Sequence, residues 1–171
     1  MKSEGENNPL SSGLWITVTG PKKSGKTSTI EALVPFLKER GYRVATLKHT
    51  VHRHTFDTPG TDSFRHAEAG AGRVGIISPG ELVLFAYDVT AEKARQLGRA
   101  FFQSYDVVLC EGFRDSPHPK IVLESSEESD YDVSPPVIVR FTPIRRPGKN
   151  SVVPGEAMER IANYIAENLA R

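Results

Sequence analysis

Gly20-Pro21-Lys22-Lys23-Ser24-Gly25-Lys26-Thr27 is the stretch on which the reading of this chain turns. It satisfies the phosphate-loop pattern G-x-x-x-x-G-K-[ST]. Gly20 and Gly25 let the backbone wrap tightly around an anion, so that successive N–H groups converge on phosphate oxygens. Lys26 supplies charge for the outer phosphates, and the Thr27 hydroxyl is suited to completing the shell of a bound Mg²⁺. The flanks carry as much information as the pattern. An apolar, β-rich run (Leu14 to Thr19) leads into the loop and a helical run (Ser28 to Arg40) leaves it. A helix N-terminus therefore faces the same anion. A Gly/Lys-rich surface turn has no need of those flanks, so the stretch points to a nucleoside-triphosphate site.

Working outward, strand and helix patterns alternate along the chain. This predicts an α/β protein with a three-layer P-loop NTPase fold, its central sheet mainly parallel and its helices on both faces. After Leu14–Thr19, the helix from Ser28 carries Ile30, Leu33, Val34 and Leu37 on one stripe, with Pro35 predicting a kink and Gly41 a stop. Tyr42 to Lys48 reads as a second strand and Val51 to Gly60 as a loop. Asp62 is placed to cap a short helix through Gly70. Val74–Ser78 and Leu82–Tyr87 read as a strand pair around Pro79-Gly80. Thr90 to Ser104 reads as a helix with Leu97, Ala100 and Phe101 inward, and Tyr105 to Cys110 as a buried strand ending at Glu111-Gly112. Lys120–Leu123 and Val137–Phe141 add strands, and Glu156–Leu169 a closing amphipathic helix. The acidic, Ser-rich stretch Glu124 to Asp132 reads as the least ordered interior segment.

The composition fits one nucleotide-binding domain over residues 14–171 behind a flexible polar leader, residues 1–13. Lys and Arg number 22 against 21 Asp and Glu, so no bulk field argues for nucleic acid or an anionic membrane. The single Cys110 excludes an internal disulfide and a multi-cysteine metal cluster, as expected of a reducing, cytoplasmic setting. No apolar stretch approaches the roughly 20 residues that span a bilayer.

A phosphate loop needs a second acidic group to hold Mg²⁺ or orient water, usually at the end of a neighbouring parallel strand. Glu111 fits, following four apolar residues; the alternative is an ordinary strand-end carboxylate in solvent. Asp57 and Asp62 flank Pro59-Gly60 and are either ligands around the γ-phosphate and Mg²⁺ or turn and capping residues. His49, His52 and His54 invite a zinc reading, which the absence of cysteine partners disfavours. Lys48 and His49, at a strand end, suit phosphate contacts or loop positioning, against the alternative of a solvated basic loop. Ser28, in the first helical turn, and Gly112, after Glu111, complete the expected nucleotide contacts. Catalytic and metal roles fall to Glu111 and Asp62, with Thr27 as the further metal ligand.

In this order, the motifs resemble those of the molybdopterin-guanine dinucleotide biosynthesis protein B (MobB) family. The carrying residues are the loop Gly20–Thr27, Leu47-Lys-His-Thr-Val-His52, Asp57-Thr-Pro-Gly-Thr-Asp-Ser63, Arg65-His66, Glu68-Ala-Gly-Ala71, Glu111-Gly-Phe113 and Pro119-Lys-Ile121. The resemblance covers about residues 14 to 123. It implies a GTP-binding, homodimeric accessory protein that acts late in molybdenum cofactor assembly. There a partner, molybdopterin guanylyltransferase, joins a guanine nucleotide to molybdopterin, and molybdoenzyme-maturation proteins are further implied partners. It also implies Mg²⁺, weak GTP hydrolysis, and Glu111 as counterpart of the family's second acidic motif. Arg114 stands where the family often has Lys, and no N-K-x-D guanine signature occurs, so GTP rather than ATP is implied by the resemblance alone.

Two other functions compete. A small-metabolite kinase calls for a lid with several arginines over the γ-phosphate, for which Arg145-Arg146 are the only close pair. A partition-type ATPase that binds DNA calls for a basic surface, which the charge balance does not supply.

Overall fold

The computed structural model describes residues 13–52, 54–125, 131–144 and 152–169. Its elements in chain order are β1 (Leu14–Thr19), α1 (Lys26–Lys38), β2 (Val44–Lys48), α2 (Asp62–Glu68), β3 (Arg73–Ser78), β4 (Glu81–Ala86), α3 (Ala91–Phe101), β5 (Val107–Glu111), β6 (Lys120–Leu123), β7 (Val137–Phe141) and α4 (Gly155–Leu169). The chain divides into two compact units. One comprises residues 1–50 and 101–171, and the other, residues 51–100, is inserted after β2. Residues 1–12 of the leader, residues 126–130 of the acidic, Ser-rich stretch and the Arg145-Arg146 pair lie outside the described residues.

In the first unit five strands form one sheet in the order β2-β5-β1-β6-β7, with every neighbouring pair parallel. β1 therefore lies at the centre, where Ile16 to Thr19 are all buried. One face is made by Ile16, Val18, Leu109, Ile121, Leu123 and Phe141, against Ile30, Leu33 and Leu37 of α1 and Ile161 and Ile165 of α4. The apolar stripes of both helices thus meet the same strands, as their three- and four-residue spacing requires. α1 runs on through Pro35, whose carbonyl accepts from Glu39 N at 2.9 Å. It stops at Gly41 (φ 87°), where Gly41 N donates to Lys38 O and Tyr42 N to Leu37 O, the two bonds of a Schellman stop.

The opposite face presents Ala45, Val108 and Cys110, covered by the aromatic side chains of Trp15, Phe102, Tyr105 and Phe113. Burial pushes the Cys110 thiol up to about 12, so it sits there as a neutral apolar group. Here one expectation is corrected. Leu97, Ala100 and Phe101 do not form an inward stripe, because α3 has no buried residue and Phe101 is exposed. Phe102, the next residue, carries the contact instead, edge-on to Trp15 with ring centroids 5.9 Å apart.

Lys120 opens β6 with its side chain fully buried. Its ammonium donates to Ser116 O at 2.6 Å and His118 O at 3.2 Å, and Ser116 Oγ lies 2.9 Å from Thr17 Oγ1. A buried charge is tolerated only with such partners, and these fasten the β5–β6 crossover to the sheet.

In the inserted unit β3 and β4 pair antiparallel about the two-residue turn Pro79-Gly80. Gly80 takes the φ of +82° that the turn needs. Thr61, not Asp62, caps α2: its side chain accepts from Phe64 N, and Asp62 occupies the first helical turn. A short hydroxyl one residue upstream can reach the open N–H group.

Candidate functional site

The loop between β1 and α1 holds three residues at positive φ: Gly20 (154°), Lys23 (62°) and Gly25 (94°). Gly20 is required twice over. A Cβ there meets Leu123 O at 2.5 Å and Ser24 Oγ at 2.8 Å, so the loop closes against the end of β6 only with glycine. Gly25 is the N-cap of α1 in the left-handed region, with no side chain capping the helix and no acidic residue in its first turn. The first N–H groups of α1 are thereby left without a side-chain acceptor, as an anion site demands.

Lys26 Nζ donates to Gly20 O at 3.0 Å and Pro21 O at 2.5 Å, folding the ammonium back over its own loop. Burial holds its pKa below the ordinary lysine value; Glu111 opposes that shift and Lys48 adds to it. Ser24 Oγ is buried with no hydrogen-bond partner. Pro21 is buried too, Ser28 half-buried, and Lys22, Lys23 and Thr27 are exposed.

Glu111 ends β5 beside this loop. Thr27 Oγ1 donates to its carboxylate, at 3.3 Å from Oε1 and 3.2 Å from Oε2, and Lys48 Nζ lies 3.0 Å from Oε1. The strand ladder explains the meeting, since Lys48 and Val18 are the register partners of Glu111 on either side. Gly112 follows at φ 91°, its N–H donating to Val18 O, and a Cβ there meets His49 O at 3.3 Å. His49 donates its N–H to Glu111 O at 3.0 Å and packs its ring against Phe113, centroids 5.0 Å apart.

The sheet thus brings together the loop Gly20–Ser28, Lys48, His49, Glu111 and Gly112. Asp57 and Asp62 belong to the inserted unit. Asp57 organises a turn: Oδ1 accepts from Thr58 N at 2.8 Å and Ser63 Oγ at 3.0 Å, while Oδ2 is buried without a partner. Asp62 is exposed, 3.7 Å from Arg65.

Sequence reasoning missed one cluster at the foot of the loop. Tyr131 OH lies 2.9 Å from Thr19 Oγ1, and the Arg114 guanidinium lies 4.7 Å from the Tyr131 ring centroid while bonding Asp132 O at 3.0 and 2.7 Å. Its only signal was Arg114 in place of lysine, since a planar fork can stack and donate twice where an ammonium cannot.

The donor set fits a nucleotide phosphate with Mg²⁺: a buried serine hydroxyl awaiting a partner, an uncapped helix start, a lysine bonded among the described residues to loop carbonyls, and a threonine beside a carboxylate. Fold and site together define an α/β protein of the P-loop NTPase type. Residues 15–139 match the family described as molybdopterin guanine dinucleotide synthesis protein B, and the chain belongs to that family. The match runs into β7, beyond residue 123 where the motif resemblance stops. The chain is 35% identical over 113 residues to the molybdopterin-guanine dinucleotide biosynthesis adapter protein of Haemophilus influenzae, covering 66% of this chain and 64% of that one. It is 34% identical over 121 residues to the probable adapter protein of Bacillus subtilis, covering 66% of each. The chain therefore spans just under two-thirds of the length of these relatives. The crystal structure of Bacillus subtilis MobB superposes with a TM-score of 0.67 at 25% identity, covering 88% of this chain and 96% of that one. The MobB homologue of Bacillus stearothermophilus does so with 0.60 at 26% identity, covering 90% and 98%.

Proposed function

We propose that this chain is a cytoplasmic GTP-binding adapter in the assembly of molybdopterin guanine dinucleotide, serving a guanylyltransferase partner and, through it, molybdoenzyme maturation. The observation that carries the reading is the Thr27–Glu111 contact beside an uncapped helix start, the arrangement that holds a triphosphate with Mg²⁺. Gly20 to Ser28, Lys48, His49 and Gly112 bind the nucleotide, and Thr27 and Glu111 hold the metal, Glu111 directly or through water. A bound Mg²⁺ would supply neutralisation of the phosphate charge.

Hydrolysis by the isolated chain is slow, because the loop offers ground-state phosphate donors and no arginine is bonded to it among the described residues. An arginine finger raises turnover by roughly 10³–10⁵ in related chemistry. The chain works as a two-fold dimer through the β3–β4 hairpin, whose Ile77, Leu82 and Leu84 are exposed.

Calorimetric titration with GTP, GDP and ATP, with and without Mg²⁺, tests the reading. Mg²⁺-dependent GTP binding is expected, weakened about tenfold to a hundredfold by Lys26→Ala. Glu111→Gln is expected to slow hydrolysis more than it weakens GTP binding. Equal GTP affinity in the Lys26→Ala chain overturns the site, and a preference for ATP overturns the guanine assignment.

A further inference from the structure

Glu111 is the carboxylate this site offers to a divalent cation, and a lysine already neutralises it. Lys48 and Glu111 stand directly opposite one another in the β2–β5 ladder, with Nζ 3.0 Å from Oε1. The two partners are unequally held. The Glu111 side chain is 14% exposed and is further fixed by Thr27, whereas that of Lys48 is 64% exposed. Lys48 is therefore the partner free to leave: a strongly hydrated point charge on a flexible four-carbon stem.

We propose that Lys48 is an exchangeable counter-ion, neutralising Glu111 until Mg²⁺ takes the carboxylate and then turning to the γ-phosphate of a bound triphosphate. This rests on the reading of the loop as a Mg²⁺–nucleotide site. No covalent step is involved; one cation replaces another at a carboxylate, and the displaced one finds the anion that arrived with its replacement. Two consequences follow, of opposite sign. Without Lys48, Mg²⁺ meets no competitor at Glu111, so a nucleoside diphosphate needs less Mg²⁺ to bind. Without Lys48, the γ-phosphate loses a cation, so the preference for triphosphate over diphosphate shrinks. A lysine that merely anchored Glu111 would give the reverse of the first effect, and one that sat permanently on phosphate would give the second alone.

The test uses the full chain with Lys48→Gln, and Lys48→Arg as the charge-keeping control. GTP and GDP affinities are measured by calorimetry across a Mg²⁺ series, with thermal unfolding alongside. The Mg²⁺ concentration for half-maximal GDP binding is expected to fall about twofold to fivefold in Lys48→Gln, the scale of an exposed ion pair. The GTP:GDP affinity ratio is expected to fall about tenfold, the scale of one charge-assisted phosphate contact. Lys48→Arg is expected to retain most of the ratio, and the unfolding midpoint of both variants to stay near the parent's. An unchanged or raised Mg²⁺ requirement in Lys48→Gln, or an unchanged GTP:GDP ratio, overturns the exchange while parental GTP binding leaves the nucleotide site standing. A parental chain that binds neither nucleotide overturns both.

Discussion

The Tyr131 hydroxyl lies 2.9 Å from Thr19 Oγ1, tying the segment before β7 to the last residue of β1, one position ahead of the phosphate loop. The two partners are not equivalent. Thr19 is 1% exposed, so its hydroxyl has no access to water, whereas Tyr131 is half-buried and held by Arg114 and by Arg140 Nη1 on its carbonyl at 3.1 Å. Tyr131→Phe is therefore expected to strand a buried hydroxyl and destabilise the fold by about 1–3 kcal/mol. Thr19→Val removes the same hydrogen bond but leaves its unpaired hydroxyl on the half-buried Tyr131, so it is expected to cost less. The double variant is expected to recover stability over Tyr131→Phe alone. Urea unfolding of the four proteins checks this, and additive losses would show that the pair is not coupled.

Gly20→Ala is expected to be among the most damaging single changes in the loop. The added carbon falls 2.5 Å from Leu123 O at a φ of +154°, so the strand end or the loop must move. Strain and overpacking together suggest a loss of about 2–4 kcal/mol, with nucleotide binding abolished. Gly72→Ala is the control, since a Cβ there meets nothing within 4 Å. Thermal unfolding of both variants decides it, and equal midpoints would remove the packing argument.

Lys120→Met is expected to cost about 1–3 kcal/mol despite a similar side-chain volume, because the Ser116 and His118 carbonyls lose their donor. Burial lowers the Lys120 pKa, with Asp115 opposing it. The folded state thus disfavours the ammonium, and the stability term held back at neutral pH returns as pH rises through the folded pKa toward 10.5. The advantage of the parent over Lys120→Met is therefore expected to widen on raising the pH into that range. Denaturant midpoints measured from pH 7 upward test the sign; a narrowing difference would refute it.

The phosphate loop, the strand edges of β6 and β7 and the stripes of α1 and α4 were legible because each is written locally, in a motif or in a period of two or 3.6. What was not legible is written between distant positions. Thr19 and Tyr131 are separated by 112 residues and Thr17 and Ser116 by 99, and neither pair announces itself in any window of the sequence. Lys120 likewise reads as an ordinary polar start to an apolar strand until the crossover carbonyls close over it. The α3 stripe failed for the converse reason. Its period was genuine, but Phe102, one residue past the helix, makes the contact that Phe101 was expected to make. In the sequence Lys48 reads as a phosphate contact, a loop-positioning residue or part of a solvated basic loop; only the ladder register brings it onto Glu111.

Asp106 joins the starts of β2 and β5. It accepts from Arg43 N at 2.7 Å, Nε at 3.1 Å and Nη2 at 2.7 Å, and these bonds hold its carboxyl below the usual aspartate value. Its stabilising contribution is present above the ordinary aspartate range and is lost as pH falls through the lowered folded pKa. Asp106→Asn is expected to lower the unfolding midpoint at pH 7 and to leave a smaller loss below pH 4, about the unfolded aspartate value. Acid titration of thermal stability in the two proteins measures it, and parallel acid curves would assign the acid sensitivity elsewhere.

The β3–β4 hairpin supplies the test of self-association. Ile77 and Leu82 are register partners, and Leu84, two residues along β4, lies on the same face; they are 86%, 50% and 61% exposed. A two-stranded ribbon with one bare apolar face invites pairing. A second copy of the same ribbon, related by a two-fold axis, offers the matching surface without any further sequence change. Leu84→Glu places a charge in the middle of that face, where burial against a partner would be costly. The parent is expected to sediment as a dimer at micromolar concentration, and Leu84→Glu as a monomer with its helix content retained by circular dichroism. Glu81→Gln, at the turn end of β4, is the control and is expected to stay dimeric. A parent that sediments as a monomer at that concentration rules out the hairpin as a self-association surface, and a dimeric Leu84→Glu moves the interface to another face.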